Sequence, residues 1–292
     1  MPFDLKDYAR RTRVTDGAWG TQLQKKNLAA GAAPELWNVT NVAAVQAVAQ
    51  SYIRAGSDVI LTNTFGANRF VLAAYGLGTR AAELAEAGAR ISRAAATGEV
   101  KVFAALGPSG RIVMAEEVAP EELSAAFAEA AEAVEFGGAD AILLESFSEL
   151  DEARLAVRAC KEATDLPVVI SMTFASGPEG TSTMMGNSPA DMVRMAMKEG
   201  ADAVGANCGV GPENYVRVAR MLRQACSLPV WIKPNAGLPS VGKDGKTTFP
   251  LRPRDFAAFA PRLVEAGANF IGGCCGTTPA HIKALRKAVD KL

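Results

Sequence analysis

Histidine is almost missing from this chain of 292 residues: there is one, His281. That scarcity argues against a histidine-rich metal centre, and against a serine or cysteine triad whose base is a histidine elsewhere in the chain. His281 itself follows Thr278 and Pro279, a cap and first-turn pair, and reads as a polar residue at a helix start. Neither sign of charge is in excess, with 31 basic and 31 acidic side chains, so neither nucleic acid nor an anionic membrane is an expected partner. No apolar run approaches the roughly 18 residues of a membrane helix, and the charged stretch from Met1 to Arg13 lacks an apolar segment. A cytoplasmic location is the expectation. Cysteine is scarce too: five, without paired spacing, which suits reduced thiols better than a disulfide framework.

What the chain does have is a repeat. Ala55-Gly56-Ser57-Asp58 opens an apolar run that ends in Asn63-Thr64, and the pattern returns three times. The copies start at Gly137-Gly138-Ala139-Asp140, Glu199-Gly200-Ala201-Asp202 and Ala266-Gly267-Ala268-Asn269, and end in Glu145-Ser146, Asn207-Cys208 and Cys274-Cys275. Each is a helix-ending glycine followed by a buried strand. Further strands are expected at Val14-Thr15, 102–108, 167–174 and 229–235, and helices near 42–55, 79–96, 120–136, 149–163, 189–199, 213–225, 255–266 and 279–290. Eight alternating units with continuously apolar strands predict a parallel sheet closed into an α/β (β/α)8 TIM barrel, a single domain over 1–292. A doubly wound open sheet is the alternative, but Gly209-Val210-Gly211 is too weak a phosphate-loop signal to support it.

Active sites of such barrels lie at the carboxyl ends of the strands. Asp16, Asn63, Glu145, Cys208, Asn235, Cys274 and Cys275 all fall on that rim. Adjacent cysteines bridge each other only with strain, because disulfide geometry needs the Cα atoms farther apart than a trans peptide allows. Cys274-Cys275 with Cys208 therefore suggests one soft metal, zinc, with an open fourth position. Taken singly, each thiol also fits a small buried hydrophobe, the reading preferred for Cys160 and Cys226. The long rim segment from Ala236 to Leu251, with a hairpin turn expected at Lys243-Asp244-Gly245-Lys246, is placed to cover the site.

Asp16-Gly17-Ala18-Trp19-Gly20-Thr21, Thr62-Asn63-Thr64-Phe65, Leu106-Gly107-Pro108, Asn207-Cys208, Pro234-Asn235-Ala236-Gly237 and Gly272-Gly273-Cys274-Cys275-Gly276-Thr277-Thr278-Pro279 carry a resemblance. From about Asp16 to Leu285 the chain resembles the homocysteine S-methyltransferase family, most closely the homocysteine-binding module of cobalamin-dependent methionine synthases. The resemblance implies a homocysteine-binding (β/α)8 barrel with zinc on Cys208, Cys274 and Cys275, catalytic through those thiolates and the substrate thiol. It further implies that Glu145 holds the substrate's amino group, that the Gly17 and Ala18 amides receive its carboxylate, and that Asp16, Asn63 and Asn235 line the substrate site. Because the chain stops at Leu292, a methyl-corrinoid supplied in trans by a separate corrinoid protein is the expected donor, and homocysteine or a related small thiol the acceptor. Two rivals stand beside this. One is a corrinoid-linked demethylase running the transfer backwards; the other is a zinc-independent barrel lyase or aldolase that uses a cysteine as a plain acid or base.

Overall fold

The computed structural model describes residues 3–242 and 247–292. Eight strands form one sheet in which every neighbouring pair is parallel. They are β1 (Arg13–Val14), β2 (Val59–Ile60), β3 (Lys101–Leu106), β4 (Ala141–Phe147), β5 (Val168–Met172), β6 (Ala203–Cys208), β7 (Val230–Pro234) and β8 (Phe270–Ile271). The order β1-β8-β7-β6-β5-β4-β3-β2 runs around a nearly closed barrel. At the seam between β1 and β2, the Asp58 amide donates to Val14 O and the Val14 amide donates back to Asp58 Oδ2, both at 2.7 Å. The sheet therefore closes partly through a side chain.

Strand residues alternate between two apolar clusters, as a period of two requires when both faces are buried. Ile60, Val102, Ile142, Val168, Val204, Val230 and Ile271 face the surrounding helices. Val59, Leu61, Phe103, Leu143, Val169, Trp231 and Phe270 fill the barrel, with Trp231 stacked 5.6 Å from Phe103 and tilted against Phe270 at 5.3 Å between ring centres. A short helix, Leu5–Tyr8, plugs the lower end of that interior.

The glycine of every repeat copy, Gly56, Gly138, Gly200 and Gly267, has positive φ, ending a helix as expected. The Asp or Asn two residues on clamps the preceding strand. Asp58, Asp140, Asp202 and Asn269 accept from the amides of Val14, Val102, Val168 and Val230 at 2.7 to 2.9 Å. Arg286, Arg93, Lys161 and Arg223 respectively bond the same four side chains.

The helices follow expectation within a residue or two, with one exception. The helix expected over 255–266 is two short ones, Pro253–Ala257 and Ala260–Glu265. Pro261 has no amide hydrogen to continue the ladder and its ring crowds the carbonyl four residues back, so one unbroken helix is not available there. In the rim segment Ser240–Val241 pairs antiparallel with Thr247–Thr248, while the turn expected at 243–246 lies outside the described residues. Among the described residues no helix is long and apolar enough to cross a membrane.

Candidate thiolate centre and substrate cavity

The two repeat copies that end in cysteine lie on β6 and just past β8, separated on the barrel by β7. Cys208 closes β6, while β8 keeps its bonds to both neighbours beyond its last regular residue. The Gly273 amide reaches Asp16 O at 3.0 Å and the Cys274 amide reaches Pro234 O at 2.8 Å. These contacts bring the Sγ atoms of Cys208, Cys274 and Cys275 within 4.8 Å of one another, with Cys208 and Cys275 at 4.0 Å.

The turn that holds the pair is tight. Gly276 has φ +80°, and a Cβ there would stand 2.2 Å from the Phe249 ring, so the rim segment packs directly on the cysteine turn. Among the described residues none from that segment lines the cavity beside the thiols. Cys208 also has a left-handed backbone, φ +67°, as does Ser146 at the matching place on β4, φ +69°. Asn207 ties the two strand ends together. Its Oδ1 accepts from the Ser146 amide at 2.9 Å and from Ser171 Oγ at 2.7 Å, while its Nδ2 donates to Ser146 Oγ at 2.7 Å. Such strain persists only where the surroundings over-determine it. Asn235 secures the same corner by donating to Gly209 O at 3.1 Å, with its own Oδ1 buried and unpartnered among the described residues.

A cavity of about 610 Å³ opens beside the thiols. The inward parity of the strands sets its floor: two residues above Leu143 on β4 comes Glu145, and two above Trp231 on β7 comes Lys233. Glu145 is buried and its Oε2 has no hydrogen-bond partner among the described residues. Burial raises its pKa from 4.5 to about 7, against the opposing pull of Lys233. Lys233 is buried with Nζ 2.8 Å from Asp16 Oδ1. Burial works against its charge, but Asp16 and Glu145 outweigh that and its pKa is raised. Left to themselves, the three thiols favour a single thiolate. Hydrogen bonds from Cys274 and Cys275 draw Cys208 down to about 3, and the contact with Cys208 holds Cys275 up at about 12. The remaining walls are Gly17, Ala18, Trp19 and Asn63, then Glu35, Phe65, Val71 and Tyr75 toward the mouth.

Four expected groups are already committed elsewhere. The Asp16 carboxylate lies under the cavity, accepting from Trp19 Nε1 and the Leu61 amide at 2.7 Å as well as from Lys233, so it has no oxygen free for a ligand. The Ala18 amide donates to Thr277 Oγ1 at 3.1 Å, which leaves the Gly17 amide as the one of the pair without a partner among the described residues. Asn63 lines the cavity, but its amide donates to Pro34 O and Asn38 Oδ1 at 2.8 Å and so shapes the wall. Asn235 stands behind Cys208 and does not line the cavity. Lys233 was not singled out from the sequence, and Asn207 was read there only as the residue before Cys208, without a role of its own. Strand parity, run one step past Trp231 and one past Gly205, was the signal that would have found them.

Residues 13–289 match the family model described as homocysteine S-methyltransferase. A methionine synthase of Mycobacterium tuberculosis is 34% identical over 309 residues, taking in 99% of this chain and 26% of that protein. One from Mycobacterium leprae is 33% identical over 306 residues, with 98% and 25% covered. The chain thus spans about a quarter of the length of these curated relatives. Among solved structures, the metallated form of the homocysteine methyltransferase MmuM from Escherichia coli superposes with a TM-score of 0.78 at 23% identity, covering 95% of this chain and 96% of that one. At that identity the likeness speaks for the fold.

Proposed function

This chain belongs to the homocysteine S-methyltransferase family, and from that premise we propose that its cavity binds homocysteine for methylation of the thiol to methionine, within a single barrel domain. The observation that carries the reading is the gathering of three sulfurs within 4.8 Å beside a buried acid whose second oxygen is unpartnered.

The donor set fits zinc: three thiols from two strand ends leave one side open to the cavity, and soft sulfur ligands select such an ion. Cys208, Cys274 and Cys275 would hold it, and when bound it supplies the positive charge that lets a thiol with an ordinary pKa of about 8.5 ionise at neutral pH. The residues around it do the rest. Glu145 Oε2 receives the substrate's ammonium, and the Gly17 amide, also in the cavity lining, receives its carboxylate. Trp19 is fixed by its bond to Asp16 and closes one side against water. The cavity exceeds what a small amino acid fills, and its apolar mouth at Phe65, Val71 and Tyr75 leaves room for the group that delivers the methyl. The favoured donor is a methyl-corrinoid. The substrate sulfur contributes the electron pair of the new S–C bond, and the pair of the breaking metal–carbon bond stays with the corrinoid. The direction of transfer follows from which thiol enters, and an orphaned acid at the floor favours one that carries an ammonium.

The test is metal analysis of the purified chain together with homocysteine-dependent loss of methyl from a methyl-corrinoid. One zinc per chain and demethylation that needs homocysteine are expected. Full turnover from a chain stripped of metal would defeat the proposal.

A further inference from the structure

Lys233 stands out among the residues of the cavity. Among the described residues lining it, Lys233 is the one cationic side chain, set in a floor otherwise made of Glu145, the three thiols and, just beneath, Asp16. A lysine at 2% side-chain exposure is costly unless its charge is matched, and here Asp16 matches it at 2.8 Å. The same bond occupies the last free oxygen of Asp16, whose other oxygen already takes two donors. Its Nζ also lies over the packed Trp231 ring, 5.8 Å from the ring centre.

We propose that Lys233 is a specificity-determining residue, whose charge cancels that of Asp16 so that the floor presents one free acid and the cavity selects zwitterionic aminothiols over purely cationic or purely anionic thiols. The inference rests on the thiol-binding reading above and deepens it. With Lys233 in place the floor offers a single unpaired carboxylate, Glu145, to an ammonium, while the other acid of the lining, Glu35, accepts from the Gly66 amide. Without it, Asp16 and Glu145 face the cavity together with no counter-cation, and the site favours cationic ligands. Without Asp16 instead, the unmatched ammonium of Lys233 favours anionic ligands.

The experiment compares three thiols by calorimetric titration of the metal-loaded chain at pH 8: L-homocysteine, 3-aminopropane-1-thiol, which lacks the carboxylate, and 4-sulfanylbutanoate, which lacks the amine. All three carry the same sulfur, so the thiol's own contribution cancels in ratios of affinity. Wild type is expected to bind homocysteine tightest. Lys233→Met should shift the aminopropanethiol-to-sulfanylbutanoate affinity ratio at least about tenfold toward the cation, and Asp16→Asn at least about tenfold toward the anion, as loss of one partner of a buried charge pair does. The double variant Asp16→Asn/Lys233→Met should return the ratio to within about threefold of wild type. The opposite signs keep the idea testable if one single variant fails to fold. Ratios unchanged in a folded single variant, while wild type still binds homocysteine, overturn the role of Lys233 alone. Failure of wild type to bind any of the three overturns the thiol reading, and this inference with it.

Discussion

The two ends of the barrel are built from the same repeat and put it to opposite uses. At the lower end, four copies place Asp58, Asp140, Asp202 and Asn269 in one geometry, each clamping the preceding strand through an amide and bonded by an Arg or Lys. Seven residues beyond each repeat glycine, at the upper end, the same copies place Asn63, Glu145, Asn207 and Cys274, which share no common partner. One end is repetitive, with each clamping side chain bonded both to a strand amide and to a cation. The other is varied, partly unpaired and strained at Ser146 and Cys208. A closed sheet needs its strands aligned once, and whichever end does that leaves the other free to carry chemistry.

The comparison breaks most visibly at the sulfurs. Cys274→Ala should remove bound metal, measured by elemental analysis, and reduce turnover at least about a thousandfold, with two thiols too few to retain the ion. Thermal stability of the metal-free chain should change far less. Glu145→Gln is the next largest, weakening homocysteine binding by about tenfold to a hundredfold in titration, as loss of a charge-assisted bond does. It carries a pH signature as well. The Glu145 pKa is raised by burial to about 7, so the folded state holds its proton longer than the unfolded chain. In the metal-free chain its ionisation therefore lowers stability as pH rises from 4.5 toward 7, and the ionised form, present above about 7, is the one proposed to receive the ammonium. Denaturation midpoints of the Gln variant should lack that decline.

At the other end, Asp140→Ala should cost about 1–3 kcal/mol in denaturant unfolding, because the Val102 amide loses its acceptor in a part-buried place. Homocysteine affinity should stay as it was. Asp140→Asn sharpens the point with the smallest effect, below about 1 kcal/mol, since Asn269 already performs the same clamp with an amide oxygen. If Asp140→Asn instead impaired binding, the division between the two ends would fail.

Much of this was legible in the residues. The repeat glycines, the continuous apolar strands and the helix starts at Pro120, Pro189 and Pro279 set the alternation, and it is what folds. The break at Pro261 was legible too, yet the amphipathic pattern across it is smooth. Lys233 was hidden for a different reason. A lysine between Ile232 and Pro234 reads as a strand-end residue, and its sequence neighbours do not say whether that end turns to solvent or over the barrel mouth.

By itself, then, the chain's order of residues determined the eight-fold alternation and which end of each strand bears polar and thiol groups, since periodicity and helix caps are local properties. Only the closed sheet decided which of those groups converge, joining β6 to the turn after β8 and pairing Asp16 with Lys233 across 217 residues. Convergence depends on strand order and register around the barrel, which are fixed by long-range packing of both strand faces and are written in no single stretch of sequence.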